Sequence, residues 1–75
     1  MPPYGNRNGE SGVRYYELGE QSITVTFSGG DTYLYTYRSA GRQNVETIKK
    51  LAQAGEGLST FISRKVKDKF DRKLY

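Results

Sequence analysis

Two alternating segments around a glycine turn constrain the fold more than any other feature of this 75-residue chain. The first segment, Ser22–Phe27, carries Ile, Val and Phe at every second position. The second begins at Thr32 and carries Tyr at every second position. Period-two alternation of β-branched and aromatic residues is typical of a half-buried antiparallel hairpin. The sequence therefore predicts two paired strands, Ser22–Phe27 and Thr32–Arg38.

The length of the turn decides which face of this hairpin carries the tyrosines. A two-residue loop pairs Val25 with Leu34 and leaves the tyrosines on the outer face beside the threonines. A three-residue loop that ends at Asp31 pairs Val25 with Tyr35, so the tyrosines join the core, because a shift of one residue exchanges the two faces. We favour the three-residue loop, since so small a domain needs large side chains in its core. Asp31 then takes the left-handed position that such loops require.

The segments before and after the hairpin define the expected domain limits. Residues 1–12 contain both prolines and little apolar surface, which predicts a disordered N-terminal tail. Packing is expected to begin near Val13, with Val13–Leu18 as the first strand and the domain at 13–70. Residues 71–75 are predicted to form a basic C-terminal tail. The three strands then make an antiparallel β-meander.

Two amphipathic helices are predicted after the meander. Asn44 is expected to cap the first helix, and Gly55 is expected to end it. Ser59 is expected to cap the second helix, which either ends near Asp68 or continues past the sheet. The expected fold class is thus α+β, a three-stranded antiparallel β-meander followed by two α-helices packed on one face. The apolar stripes of the two helices comprise Val45, Ile48, Leu51 and Ala52, and Phe61, Ile62, Val66 and Phe70.

The composition excludes several kinds of chemistry. The chain has no Cys and no His, which removes disulfides, thiolate chemistry, zinc sites and His-dependent catalysis. The carboxylates of Asp31, Glu46 and Glu56 fall in turns or near helix ends, where solvation is their ordinary role. We expect no enzymatic activity, no catalytic residue, no cofactor and no metal. No apolar run reaches the ~20 residues that a membrane span needs, so we expect a cytoplasmic protein without a membrane partner.

The net charge of +4 is concentrated at the C-terminal end. Basic and acidic residues balance as far as Ser63, and all of the excess follows it. A clustered basic excess indicates an anionic partner. The tyrosine row allows two interpretations: it forms core beneath the helices, which we favour, or it is exposed and stacks nucleobases. The cations after Ser63 are Arg64, Lys65, Lys67, Lys69, Arg72 and Lys73.

Two sets of residues resemble the KTSC domain family. The pattern Phe-x-x-Gly-x-x-Tyr-x-Tyr is similar to Phe27, Gly30, Tyr33 and Tyr35 here, and the family's positions between its helices are similar to Gly55, Leu58, Ser59 and Ile62. The chain departs from the family where Arg38–Ser39 replaces the Val-Pro of many members. The resemblance implies a relative of a domain found at the C-terminus of some lysyl-tRNA synthetases and as small bacterial or phage proteins. RNA binding is the usual suggestion for the family, which has no agreed functional residues to transfer.

These observations together predict a small monomeric binding module for RNA or another polyanion. The alternative is a protein–protein interaction or accessory module without nucleic-acid binding, which an exposed sheet edge would allow. Tyr37 or a tyrosine of the first strand is the expected base-stacking residue. The expected phosphate-binding residues are Arg64, Lys65, Lys67, Lys69, Arg72 and Lys73, together with Arg38 and Arg42.

Overall fold

The computed structural model describes residues 3–5 and 12–74, which form an antiparallel sheet with helices on one face. This confirms the predicted α+β class and the β-meander followed by helices, and it adds a short fourth strand in the order β1-β2-β3-β4. The strands are β1 Val13–Leu18, β2 Ser22–Phe27, β3 Thr32–Thr36 and β4 Arg72–Lys73. The helices are α1 Tyr37–Ala40, α2 Arg42–Ala54 and α3 Leu58–Phe61, followed directly by a π-helical segment, Ile62–Val66.

The β2–β3 hairpin confirms the predicted face of the tyrosines but not the predicted pairs. Val25 lies opposite Tyr33, two residues from the favoured partner Tyr35. A shift of two residues preserves the face, and Tyr35 is accordingly 1% exposed. The loop does have three residues, 28–30, because the Phe27 amide pairs with the carbonyl of Asp31. Gly30, with φ of 94°, therefore takes the left-handed position that was predicted for Asp31.

Strand β3 ends two residues before its predicted limit at Arg38. The Thr36 hydroxyl accepts a hydrogen bond from the Ser39 amide at 3.0 Å, and the Ser39 hydroxyl accepts one from the Thr36 amide at 3.0 Å. This reciprocal capping box starts the single-turn helix α1. Tyr37 therefore belongs to a helix and not to the strand.

Helix α2 begins earlier than the predicted cap. Gly41, with φ of 92°, precedes its first residue, and Asn44 lies inside the helix, where its side-chain amide donates to the Ala40 carbonyl at 2.8 Å. The prediction of Asn44 as a cap is therefore wrong. The predicted end is confirmed, since Gly55 adopts a left-handed conformation and its amide donates to the Leu51 carbonyl. The buried face of α2 comprises Val45, Ile48 and Ala52.

Helix α3 has no side-chain cap, so the prediction for Ser59 is also wrong. Gly57, with φ of 78°, stands at its N-cap position, and the next amide, that of Leu58, donates to the Tyr4 hydroxyl at 3.2 Å. Leu58 is fully buried, as its apolar side chain suggests. Beyond the π-helical segment the chain turns at Lys67–Asp68, which confirms that the helix ends near Asp68.

The N-terminal residues that the structure describes pack on the domain. Pro3 pairs with Tyr15 beside β1, and the Tyr4 amide donates to the Arg14 carbonyl at 2.8 Å. Tyr4 is 6% exposed and belongs to the core. The expectation that packing begins near Val13 is therefore wrong, because Tyr4 already belongs to the core. The rest of the predicted tail, residues 1–2 and 6–11, lies outside the described residues.

Two residues of the predicted basic tail, Arg72 and Lys73, form a strand. Arg72 and Lys73 pair with Leu34 and Tyr33 of β3, and the Asp71 amide donates to the Leu34 carbonyl at 2.6 Å. Residue 75 lies outside the described residues. Strand β4 thus covers the first part of the β3 edge, from Thr32 to Leu34.

Tyr4→Phe is expected to lower the free energy of unfolding by about 1–3 kcal/mol, because the buried Leu58 amide loses its acceptor while the ring is retained. Urea unfolding followed by circular dichroism measures this loss. Tyr15→Phe is the matched control: Tyr15 is 42% exposed, and the same change there should alter stability by no more than about 0.5 kcal/mol. Equal stability of the two variants would contradict a capping role for Tyr4.

Candidate nucleic-acid interface

The nine residues predicted to bind nucleic acid are distributed over several elements. All eight cations are exposed, but Tyr37, Arg38 and Arg42 follow the C-terminal end of β3, whereas Lys73 pairs with Tyr33 near its beginning. These two ends of β3 are roughly 13 Å apart at the rise of a β-strand. Arg64, Lys65 and Lys69 lie on the π-helical segment and the turn after it, and Arg72 lies opposite Leu34.

An open groove of about 460 Å³ lies between the β2–β3 loop and the π-helical segment. The loop and the strand ends beside it provide one wall, and the solvent-facing side of the helical segment provides the other. Its size falls in the range of small-molecule binding sites. The groove is lined by Gly12, Phe27, Ser28, Gly29, Asp31, Tyr33, Tyr35, Ile62, Ser63 and Lys67.

Aromatic rings form the floor of this groove. The ring centroids of Phe27 and Tyr33 are 5.8 Å apart at an interplanar angle of 74°, and Phe70 packs 4.7 Å from Tyr33 on the β4 side. Tyr33 is half-buried, whereas Tyr35 belongs to the core. Burial, helped by the neighbouring Tyr33, raises the pKa of Tyr35 to about 12. The Tyr35 phenol therefore stays uncharged over the ordinary pH range.

Charged side chains stand at the rim. Lys73 makes an ion pair with Asp31, with 3.2 Å between its Nζ and Oδ1, and the same Nζ lies 5.9 Å from the centroid of the Tyr33 ring. The hydrogen bond to Asp31 raises the pKa of Lys73. Lys67 stands on the helical wall, and within the described part of the chain it makes no ion pair. Of the predicted cations, Lys67 thus lines the groove, and Lys73 contacts two of its lining residues, Asp31 and Tyr33.

A second cluster surrounds Tyr37 at the other end of β3. The Tyr37 hydroxyl donates to Glu46 at 2.5 Å, and Lys49 makes an ion pair with the same carboxylate at 3.2 Å. Lys49 Nζ also lies 5.7 Å from the Tyr37 ring. The hydrogen bond from Tyr37, and then that from Lys49, holds the pKa of Glu46 below its usual range, and the bond to Glu46 raises the pKa of Tyr37. The Tyr37 hydroxyl is therefore engaged within the protein.

Of the ten residues that line the groove, Lys67 alone was among the predicted site residues, and Phe27, Asp31 and Tyr33 were missed. Alternation assigned the two aromatic rings to the core, which is correct for their face. The alternation does not show, however, that the helices leave this end of the sheet partly uncovered. The approach of Lys73 to Asp31 depends on the return of β4, which the local sequence pattern does not show either.

The structure shows neither a metal-binding cluster nor a membrane span in the parts it describes. Residues 3–5 and 12–74 contain no group of three or more Asp or Glu residues that could hold a metal ion. None of the helices in these ranges has the length and apolar character needed to cross a bilayer.

Tyr37→Phe is expected to raise the pKa of Glu46, because the carboxylate loses the hydrogen bond that contributes most to its depressed value. A depressed carboxyl pKa stabilises the fold above about pH 4.5, and this contribution is lost as the pH falls through the lower folded value. The variant should therefore lose less stability than the wild type between pH 7 and pH 3. Carboxyl carbon chemical shifts and urea unfolding measure the two effects. The proposed effect of Tyr37 on Glu46 would be contradicted if Tyr37→Phe left the pKa of Glu46 unchanged. It would also be contradicted if the control Tyr16→Phe changed this pKa equally.

Comparison with known proteins gives no relative for this chain. No family model matches it, and neither a curated protein nor a solved structure does. Its function has therefore to be inferred from the arrangement of its own residues.

Proposed function

We propose that this protein is a small non-enzymatic module that binds single-stranded nucleic acid, with RNA as its ligand. The observation that carries the proposal is a groove lined by Phe27, Tyr33 and Lys67, with the Lys73 ammonium beside the Tyr33 ring. Aromatic faces for bases and ammonium groups for phosphates are the two components of most sites for single strands.

The charge distribution supports an anionic ligand. The twelve cations exceed the eight carboxylates by four, and this excess arises wholly after Ser63. Lys67 and Lys73 belong to that group and are both exposed. Their ammonium groups lose little solvation when a phosphate approaches, and such contacts release counterions from the nucleic acid. The remaining cations after Ser63 extend the positive field beyond the groove.

The groove geometry favours an unpaired strand over a duplex. Stacking on an aromatic ring requires an exposed base face, and each stacked base contributes about 1–3 kcal/mol. Tyr33 is held in place by Phe27 on one side and Phe70 on the other, so its orientation is set before a ligand arrives. A base would pack against the half-buried rings while its phosphate reaches Lys67 or Lys73.

The choice of RNA over DNA comes from the resemblance to KTSC domains. The residues that carry that resemblance include Phe27, Tyr33 and Tyr35, all of which line the groove. We further propose that the protein acts as a cytoplasmic monomer. The covering of both sheet edges by short segments, Pro3–Gly5 beside β1 and the basic β4 beside β3, supports the monomer, because short and charged edge strands resist pairing with another chain.

A protein-interaction module is the competing proposal, and the same edges give it less support. Addition of a partner's strand needs a long open edge. The β1 edge has Pro3 beside it, and β4 has only two residues, both cationic. The nucleic-acid proposal therefore agrees better with the observed surface.

Lys67→Ala is expected to weaken binding of a labelled eight-nucleotide RNA and to reduce its salt dependence. Each phosphate contact with a single strand contributes about 0.7 to the slope of log affinity against log salt. Contacts from Lys67 and Lys73 alone therefore predict a loss of about sevenfold between 50 and 200 mM salt. Fluorescence anisotropy at several salt concentrations measures the slope.

Lys50→Ala is the matched control, because Lys50 is an exposed cation on α2 that does not line the groove. It should change the salt slope much less than Lys67→Ala. Equal effects of the two substitutions would show diffuse charge attraction and contradict a site at the groove. No detectable binding to the wild type at 50 mM salt would overturn the proposed function.

A further inference from the structure

We propose that the groove selects a base with an exocyclic amino group, cytosine in preference to uracil, through the carboxylate of Asp31. This inference rests on the proposed function and goes beyond it by naming the base that occupies the groove. It depends on three observations: the position of Asp31 at the rim, the partial use of its carboxylate, and the open space beside Gly29.

Asp31 is held at the rim by the hairpin itself. Its carbonyl accepts the Phe27 amide at 2.8 Å and closes the loop, so its backbone position is set by β2 and β3. Its side chain is 54% exposed and lines the groove beside Tyr33. A base that stacks on the ring floor therefore presents its edge toward this carboxylate.

The ion pair with Lys73 leaves acceptor capacity on Asp31. Lys73 Nζ lies 3.2 Å from Oδ1, and the Asp31 side chain is 54% exposed. A carboxylate only accepts hydrogen bonds and has about four acceptor positions. Lys73 also compensates the negative charge, so the carboxylate repels a nearby phosphate less than an isolated one would. Lys67 on the facing wall remains available for that phosphate.

The groove has room for a base next to this acceptor. A Cβ built on Gly29 meets no other atom within 4 Å, so the space above the loop is open. The volume of about 460 Å³ matches that of sites for small molecules. The Phe27 and Tyr33 rings form the floor beneath this opening.

The hydrogen-bonding groups of the base distinguish cytosine from uracil. Cytosine has an amino donor at the position where uracil has a carbonyl acceptor. The amino group donates to the carboxylate, whereas the uracil carbonyl faces a second acceptor and leaves it without a donor. Hydrogen bonds to charged groups are strong enough for a preference of about tenfold for cytosine.

The test compares labelled octamers of cytidine and of uridine, which match in length and charge, by fluorescence anisotropy at 50 mM salt. The wild type should bind the cytidine octamer about tenfold more tightly. In Asp31→Asn the amide offers both a donor and an acceptor, so the preference should fall to about twofold or less. Asp68→Asn is the charge-matched control at an exposed carboxylate outside the groove, and it should keep the preference.

A second measurement needs no variant. An octamer of the cytidine analogue that lacks the amino group should bind the wild type as weakly as the uridine octamer. Equal binding of the cytidine and uridine octamers would overturn the base preference and leave the proposed function intact. A preference that survives Asp31→Asn or loss of the amino group would overturn the role of Asp31. Absence of binding to every octamer would overturn both proposals.

Discussion

The burial of Tyr35 under the helices is the interaction on which the rest of the structure depends. Tyr35 pairs with Ile23 in the sheet and is 1% exposed, in one core cluster with Ile48, Leu58 and Val66. Because strand side chains alternate, an inward Tyr35 also directs Tyr33 inward. Tyr33 lies nearer the loop, where the covering layer ends, and so it remains half-exposed. The same alternation thus produces a core residue and a groove residue two positions apart.

Residues near both ends of the described chain make contacts with the core and the groove. At one end, Tyr4 supplies the acceptor that α3 lacks at its start. At the other, Phe70 packs on Tyr33 and β4 brings Lys73 to Asp31. A domain of this size buries only about 60% of its unfolded surface, so contacts from terminal segments contribute a large share of its core. The rim of the groove and the integrity of the core therefore depend on overlapping sets of residues.

Local patterns predicted the elements well and their connections poorly. Period-two alternation located β2 at its observed limits, because this pattern is carried by neighbouring residues alone. The predicted first strand, Val13–Leu18, is also observed, although it alternates poorly. The predicted caps Asn44 and Ser59 were wrong, since many polar residues can cap a helix and the observed starts use Gly41 and Gly57 instead. The loop was right in length but displaced by one residue. The position of the loop in the sequence depends on which residue adopts a positive φ, and here that residue is Gly30.

The candidate site was predictable in its charge and not in its geometry. The six cations after Ser63 were identified from composition, but a helix, a turn and a returning strand distribute them over different surfaces. Of these six, Lys73 lies beside the Tyr33 ring, and Lys67 lines the groove that contains this ring. The partners that define the groove are distant in sequence, since β4 and the π-helical segment both meet the β2–β3 loop region. Hydrophobic periodicity depends on residues that are close in sequence, so it does not predict contacts between segments that are far apart in the chain.

The π-helical geometry of Ile62–Val66 has a consequence for how this surface could vary in evolution. A π-helical turn holds one residue more than an α-helical turn, and such turns often occur at functional positions. The wide turn absorbs the extra residue, so deletion of one residue here would restore ordinary α-helical pitch while Lys67 keeps its direction toward the groove. Deletion of one residue from a regular α-helix would instead rotate every later side chain by about 100°. The π-helical segment is therefore the place in this helical layer where the loss of one codon disturbs the groove wall least.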